Sequence, residues 1–407
     1  MSESILVIGG GVIGLSLAWE LQSQGADVTV LERDEPGRGA SFGNAGHFAT
    51  EQVFPLADPA LLPQIPKMLL DPLGPFRIRL RYLPKALPWM LRFLVNMTPG
   101  RRRRNQHALS AINERAVADW RTLLASIGAQ SLMSERGSLL VFESTGLAEQ
   151  QQMAAGFRQA GVRVERLDAK QLQALEPALS SSLTGGLLFP DTGHSVDPFA
   201  ICQALVAALK QSEVNFVQGE AQSLDASGVV TLKGGGRLQA DKVVVCAGAW
   251  SRPLAAQLGH SVPLDTERGY HLMVQADSGL TRPVSSAERK FIVTPMAQGT
   301  RLAGTVEFAG LQAPMNPKRA QILLPHAKAL LPEMNGQPGE PWMGFRPSLP
   351  DSLPVLSASC SPRVYFSFGH QHLGLTQAAT SARLMASLMS GRPPDVDLAP
   401  YRIDRFC

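Results

Sequence analysis

The tightest constraint on this chain is Gly9-Gly10-Gly11-Val12-Ile13-Gly14, a GxGxxG turn placed directly after the run Ser4-Ile5-Leu6-Val7-Ile8. A short apolar run closed by glycines predicts a buried parallel strand. From Ile13 to Gln24 the apolar spacing becomes helical, with Leu17, Ala18 and Leu21 on one face and Gly25 as the stop. Residues 26–31 are β-rich again and end at Glu32. The first 32 residues therefore read as a βαβ unit. Each motif glycine has its own task. Gly9 makes the tight turn, Gly11 lets a pyrophosphate approach the backbone, and Gly14 lets helix and strand pack closely. The helix start, Val12 and Ile13, offers N–H groups and a partial positive charge to phosphates. Glu32, eighteen residues after Gly14, suits ribose hydroxyls and argues against a 2′-phosphate. A glycine turn with no ligand is the plain alternative, and the strand–turn–helix–strand–acid context disfavours it.

Further along, residues 36–60 read as a loop rich in glycine, proline and small side chains. Residues 61–130 read as helical but interrupted by Pro63, Pro66, Pro72, Pro75, Pro84 and Pro88. A strand is expected near 137–142 and a helix at 145–160. A helix over 197–213 is opened by Asp197-Pro198, a cap followed by proline in the first turn. Strands are expected at 214–218 and 228–233, at Val243–Cys246 before a glycine turn, and in several pieces over 262–310. Val364–Phe368 leads through Gly369-His370 into a helix from Thr376 to Ser390. Dinucleotide-type segments thus occur at the start, middle and end, separated by two inserts. This predicts an α/β chain with a discontinuous Rossmann-like domain of residues 1–50, 196–254 and 350–407. Residues 51–195 and 255–349 are assigned to a mixed-sheet α+β substrate domain.

Composition excludes several classes. The 407 residues are 44% hydrophobic and 18% charged, ordinary for a globular protein. The net charge of +4 fits an anionic cofactor or substrate without pointing to nucleic acid. Cys202, Cys246, Cys360 and Cys407 have no metal-ligand spacing, so reduced structural thiols, no metal and a cytoplasmic chain are expected. The N-terminus lacks a signal-peptide pattern, and no apolar stretch reaches 18 residues.

Three segments decide between nucleotides. Arg38-Gly39-Ala40-Ser41-Phe42-Gly43-Asn44-Ala45-Gly46 is a small-residue loop just after the acid. Asp241–Ser251 resembles the second nucleotide-side segment of glutathione-reductase-type flavoproteins. Gly369-His370-Gln371-His372-Leu373-Gly374-Leu375-Thr376 resembles the loop-to-helix segment that meets a flavin ring. With Leu183–Gly186 and Pro190, Arg268-Gly269-Tyr270, and Gly344-Phe345-Arg346-Pro347 with Pro350-Asp351 and Pro354, the chain resembles the D-amino-acid oxidase superfamily over nearly its whole length. Within it the likeness is to bacterial D-amino-acid dehydrogenases of the small-subunit type.

That resemblance implies a glutathione-reductase-type FAD domain and FAD held noncovalently, since Gly43-Asn44 stand where some relatives attach it through a histidine. Besides the motif and Glu32, it implies cofactor contacts at Arg33, Ala40, Ser41 and Gly46. Ala221, Ala247, Gly248 and Trp250 are implied on the middle segment, and His372, Leu373, Gly374, Leu375 and Thr376 on the last. It also implies oxidation of an amine beside a carboxylate, with hydride passing to the flavin and the imine hydrolysing to a 2-oxo acid and ammonia. Arg346 is the expected carboxylate clamp and a neighbour of the cofactor, because a guanidinium pairs bidentately and stays charged. Tyr270 is a candidate to hold substrate, against a buried strand tyrosine. His47 is a candidate to touch substrate or order water, against a histidine satisfied by its loop. The positive end of the last helix would favour charge on the reduced flavin.

Leu302 stands on the strand where some oxidases carry a lysine that assists oxygen, which favours a quinone or other acceptor. Arg101–Arg104 follow the apolar stretch Leu87–Met97. A solvated helix end beside a core helix shortened by Pro88 is the expected reading. Peripheral docking at an inner membrane face is the alternative. No aromatic-stacking module accompanies the arginines, so nucleic acid is not expected. Other readings are a dehydrogenase of a cyclic imino acid such as D-proline or cis-4-hydroxy-D-proline, a 2-hydroxy-acid dehydrogenase, an FAD-holding subunit of a larger complex, and, more remotely, a tRNA-modifying flavoenzyme.

Overall fold

The computed structural model describes residues 2–64 and 74–406. Pro66, Pro72 and Cys407 fall outside them.

The run Ser4–Ile8 becomes a central strand because both its faces find apolar cover. It lies between Asp27–Glu32 and Lys242–Val245, with Leu6 opposite Thr29 and Val243. The full order is 215–218, 27–32, 4–8, 242–245, 364–368, 355–358. All neighbours are parallel except the last pair, an antiparallel edge. One face packs on the helices Val12–Ser23, Pro198–Gln211 and Gly374–Met389. The other is covered by a separate cluster that includes Leu254 of the Ser251–Gln257 helix. The mixed α/β fold with several mixed sheets is therefore as expected.

A second sheet is built from the inserts. Its order is 342–348, 265–274, 299–308, 291–296, 284–286, 138–142, 185–189, 165–168, and Phe76–Ile78 pairs with 299–308. Strands 265–274 and 299–308 are ten residues each. Their pairing slips between Gly269 and Tyr270, where Thr305 takes a left-handed φ of 53°. Such a bulge bends the strand and re-aims its side chains.

Two expectations change. Residues 51–195 were assigned as a block to the substrate side. Yet Leu109, Ile112, Trp120 and Leu124, on the helices Pro99–Asn113 and Ala116–Ser126, join the core of the first sheet's helical layer. Trp120 donates its indole N–H to Leu375 O at 2.7 Å. Burial of that apolar face outweighs chain order. The expected break at Pro88 is also absent, because Leu83–Asn96 is one helix with Pro88 inside it. Packing of Trp89 on Phe93 and Phe308 offsets the hydrogen bond that proline removes.

Candidate active site

The glycine turn behaves as its spacing predicted. A Cβ on Gly14 would lie 1.9 Å from Gly9 O, so only glycine lets this helix meet its strand. Gly9 has φ +112°, and a Cβ there would lie 2.5 Å from Cys246 O. Gly11 differs. The nearest atom to a Cβ there is Ser41 Oγ at 3.4 Å, and Gly11 lines a cavity of about 1250 Å³. The protein does not need glycine at 11 for its own packing, but a pyrophosphate approaching the backbone does. The helix 12–23 starts without a side-chain cap, apart from Ser41 Oγ accepting the Val12 N–H at 2.9 Å. Glu32 accepts the Gly10 N–H at 2.6 Å and the Asp34 N–H at 3.1 Å, which aims its carboxylate along the same cavity. Arg33 stacks 3.7 Å over the Trp250 ring. These residues fit a dinucleotide.

Ala40, Ser41, Ala221, Ala247, Gly248 and Trp250 line the same cavity, as do Val12 and Ile13. At its other end stand His372, Gly374 and Leu375. Helix 374–389 also opens there without a side-chain cap. Four of the expected cofactor residues do not line it. Gly14 is buried between helix and strand, and Leu373 is in the core. Thr376 Oγ1 accepts the Ala49 N–H at 3.0 Å and so ties the loop after His47 to the last helix. Gly46, at φ +77°, turns the chain where a Cβ would lie 2.9 Å from Ser195 O. These four shape the cavity wall from behind.

The residues expected to meet substrate gather on strands 265–274 and 342–348. Arg346 lines the cavity and makes no hydrogen bond or ion pair among the described residues. Its guanidinium lies over Gly269, where a Cβ would stand 2.4 Å from Cζ. Across the strand pair it faces Glu267. Burial pushes the Glu267 carboxyl above its ordinary value, opposed by a bond from Ser348 Oγ at 2.5 Å and by the Arg346 charge. His372 is held neutral, pushed down to about 4 by burial and then by Arg346 and His47.

Tyr270 borders the cavity, but its hydroxyl donates to Glu307 Oε2 at 2.6 Å. Glu307 in turn pairs with Arg79 at 2.8 Å and Arg268 at 3.6 Å. The Tyr270 proton is therefore committed to a carboxylate, which leaves its oxygen only as an acceptor toward the cavity. His47 also lines the cavity, and its Nε2 lies 3.7 Å from Glu51 Oε2. Both atoms are buried without a hydrogen-bond partner. Leu302 is fully buried in the core of the second sheet, away from the cavity. The strand's cavity residues are Ala303, Gly304, Thr305, Val306 and Phe308, again with no lysine. His370 donates to or accepts from Ser381 Oγ at 3.0 Å and is buried.

Sequence reasoning missed Glu267, Arg301, His271 and Trp342. The last three clamp the loop 41–46. Arg301 donates to Asn44 O at 2.6 Å and to Phe42 O at 3.3 Å. His271 Nδ1 lies 3.0 Å from Gly43 O, and its ring stacks on Trp342 at 4.7 Å. A Cβ on Gly43 would strike that indole at 2.2 Å. The only hint in the sequence was the run of small residues at 43–46, which signals close approach but not by what.

A family model described as "DAO: FAD dependent oxidoreductase" matches residues 4–388. The chain is 36% identical to a D-amino-acid oxidase of Bradyrhizobium diazoefficiens, over 99% of this chain and 98% of the relative. It is 33% identical to a D-amino acid dehydrogenase of Paramagnetospirillum magneticum, over 99% and 98%. Its fold is similar to that of L-proline dehydrogenase from P. horikoshii, with TM-score 0.75, 17% identity, and 100% and 98% coverage.

Proposed function

This chain belongs to the DAO family of FAD-dependent oxidoreductases, and we propose that it oxidises a D-amino acid to the 2-oxo acid and ammonia and passes the electrons to a quinone-type acceptor. Amino-acid oxidase or dehydrogenase activity with FAD follows from the family and its relatives. The D-configuration rests on the names of those relatives, and the acceptor on the likeness to a D-amino acid dehydrogenase. FAD supplies the two-electron acceptor for the hydride of the α-carbon.

The observation that carries the reading is Arg346, a guanidinium that lines the cavity and has no hydrogen-bond or ion-pair partner among the described residues. A half-buried cation of this kind wants a planar anion, and an α-carboxylate offers two parallel bonds. Gly269, which has no Cβ, makes the space in which the guanidinium lies. Burial raises the Glu267 carboxyl above its ordinary value, which weakens its competition for the Arg346 charge. Residues 41–46 hold neither histidine nor cysteine, so FAD is held noncovalently and leaves with the supernatant after acid precipitation.

The test is anaerobic titration of the purified yellow protein with D- and L-amino acids, D-proline, hydroxyproline isomers and 2-hydroxy acids. Bleaching of the flavin by D-amino acids is expected. Bleaching by cyclic imino acids or hydroxy acids alone would replace the substrate class. No bleaching at all would sink the amino-acid reading. Turnover of the purified chain with an artificial acceptor excludes a cofactor-holding subunit without its own activity, and a faster rate with a soluble quinone than with oxygen is expected.

A further inference from the structure

Helix 83–96 has two apolar faces. Ala86, Trp89 and Phe93 turn inward toward Phe308. Leu83, Leu87, Leu91 and Leu94, spaced by four, four and three, form a stripe on the outside with Val95 beside it. These five are each 41–55% exposed, and Leu80 just before the helix is 80% exposed. Of the ten large apolar side chains exposed among the described residues, seven lie between residues 62 and 95. Scattered exposed leucines need no explanation, but a continuous row does.

The charge around the row is one-sided. Residues 74–113 contain nine lysines and arginines and no acid, in a chain whose net charge is +4. Arg79 and Arg102 are used internally, on Glu307 and Asp58. Arg81, Lys85, Arg92, Arg101, Arg103 and Arg104 are exposed and pair with no carboxylate among the described residues. Lys85 and Arg92, seven apart, share one flank of the stripe, and the arginine run opens the next helix. The core helix and solvated end expected from the sequence thus prove to carry an exposed apolar ridge beside a row of exposed cations.

From this we propose that helix 83–96 is a docking surface for an anionic lipid bilayer, lying in the interface with its leucines in the acyl boundary and its cations on the headgroups. No described helix is long and apolar enough to cross a membrane, so the contact is peripheral. Leu83 and Leu94 also line the cavity. The docked helix therefore borders an apolar entrance, through which a lipid-dissolved acceptor reaches the site. This last point deepens the acceptor reading above, whereas the docking itself does not depend on the substrate.

The experiment is sedimentation of the purified holoenzyme with vesicles of phosphatidylcholine alone or mixed with phosphatidylglycerol, at low and high salt. The expected result is pelleting with the anionic vesicles, about tenfold or more above neutral ones, and weaker at high salt. Leu87→Gln/Leu91→Gln is expected to lower binding by about tenfold or more while leaving turnover with a soluble acceptor unchanged, which shows that it still folds. Arg101→Gln/Arg103→Gln/Arg104→Gln is expected to reduce the preference for anionic lipid. Absence of pelleting at low salt, or undiminished binding of the leucine variant, would overturn the proposal. So would a dimer at micromolar protein that the leucine variant splits, since a second copy would then cover the ridge. Sedimentation reads no turnover, so its failure leaves the amino-acid reading standing.

Discussion

Arg346 concentrates the argument at the scale of single residues. Its value lies in what surrounds it: a glycine beneath, a carboxyl across the strand pair, and no side-chain hydrogen bond among the described residues. Two charge-assisted bonds to a substrate carboxylate contribute about 1.5–3 kcal/mol each. Arg346→Gln is therefore expected to lower kcat/KM by about 10²- to 10⁴-fold, with the flavin spectrum unchanged. Arg346→Lys keeps charge but loses the fork, so a smaller loss, mostly in KM, is expected from steady-state kinetics. The arginine was legible in Gly-Phe-Arg-Pro through its resemblance alone. Its partner Glu267 was not, because a cross-strand neighbour seventy-nine positions away depends on register rather than on local pattern.

Among elements, the opening strand–turn–helix unit separates two uses of glycine. Gly14→Ala would force a Cβ to 1.9 Å from Gly9 O. Overpacking of this kind costs about 3 kcal/mol or more, so a lower Tm and loss of folded yield are expected. Gly11→Ala meets no protein atom closer than 3.4 Å. It should fold with nearly normal far-UV dichroism yet bind FAD about tenfold or more weakly, about 1.4 kcal/mol, by titration of the apoprotein. Equal Tm losses in both variants would contradict this division. Helix 83–96 teaches the reverse lesson about local rules. Pro88 signalled a break, but burial of Trp89 and Phe93 on the second sheet kept the helix continuous.

For the molecule as a whole, the two sheets are joined at the cavity by the loop 41–46. Arg301, buried and pushed down to about 10 by that burial, gives its protons to Phe42 O and Asn44 O from the far sheet. Arg301→Met is expected to loosen the loop, raising the FAD dissociation constant about tenfold or more, because buried carbonyls lose charged donors. An unchanged constant would show that Trp342 and His271 suffice. Buried histidines also govern acid stability. His271 and His370 are pushed down to about 3, and His194 and His372 to about 4, in each case first by burial. A depressed folded value means that the unfolded chain binds the proton first. The stability these residues contribute is complete above about pH 6.5 and falls as the pH drops toward 4 and 3. His370 alone accounts for about 2 kcal/mol at pH 5. Urea unfolding at pH 7.5 and pH 5 should show this fall, and His370→Asn should make it shallower by about one proton.

The sequence by itself determined the parts whose physics is local. The nucleotide-binding unit is written in a glycine pattern, a buried strand and an acid within 32 residues, each with a steric or electrostatic reason visible in place. The family, the cofactor and the candidate Arg346 followed from segments of the same kind. Only the tertiary structure decided what sits opposite what. It committed the Tyr270 hydroxyl to Glu307, turned Leu302 into the core and drew the helices 99–113 and 116–126 over the last helix. It also left the leucines of helix 83–96 on the surface beside exposed cations. The reason is the same in each case. An apolar periodicity states that a face will be buried or covered, but the partner that covers it is chosen by strand register and helix packing between residues far apart in the chain.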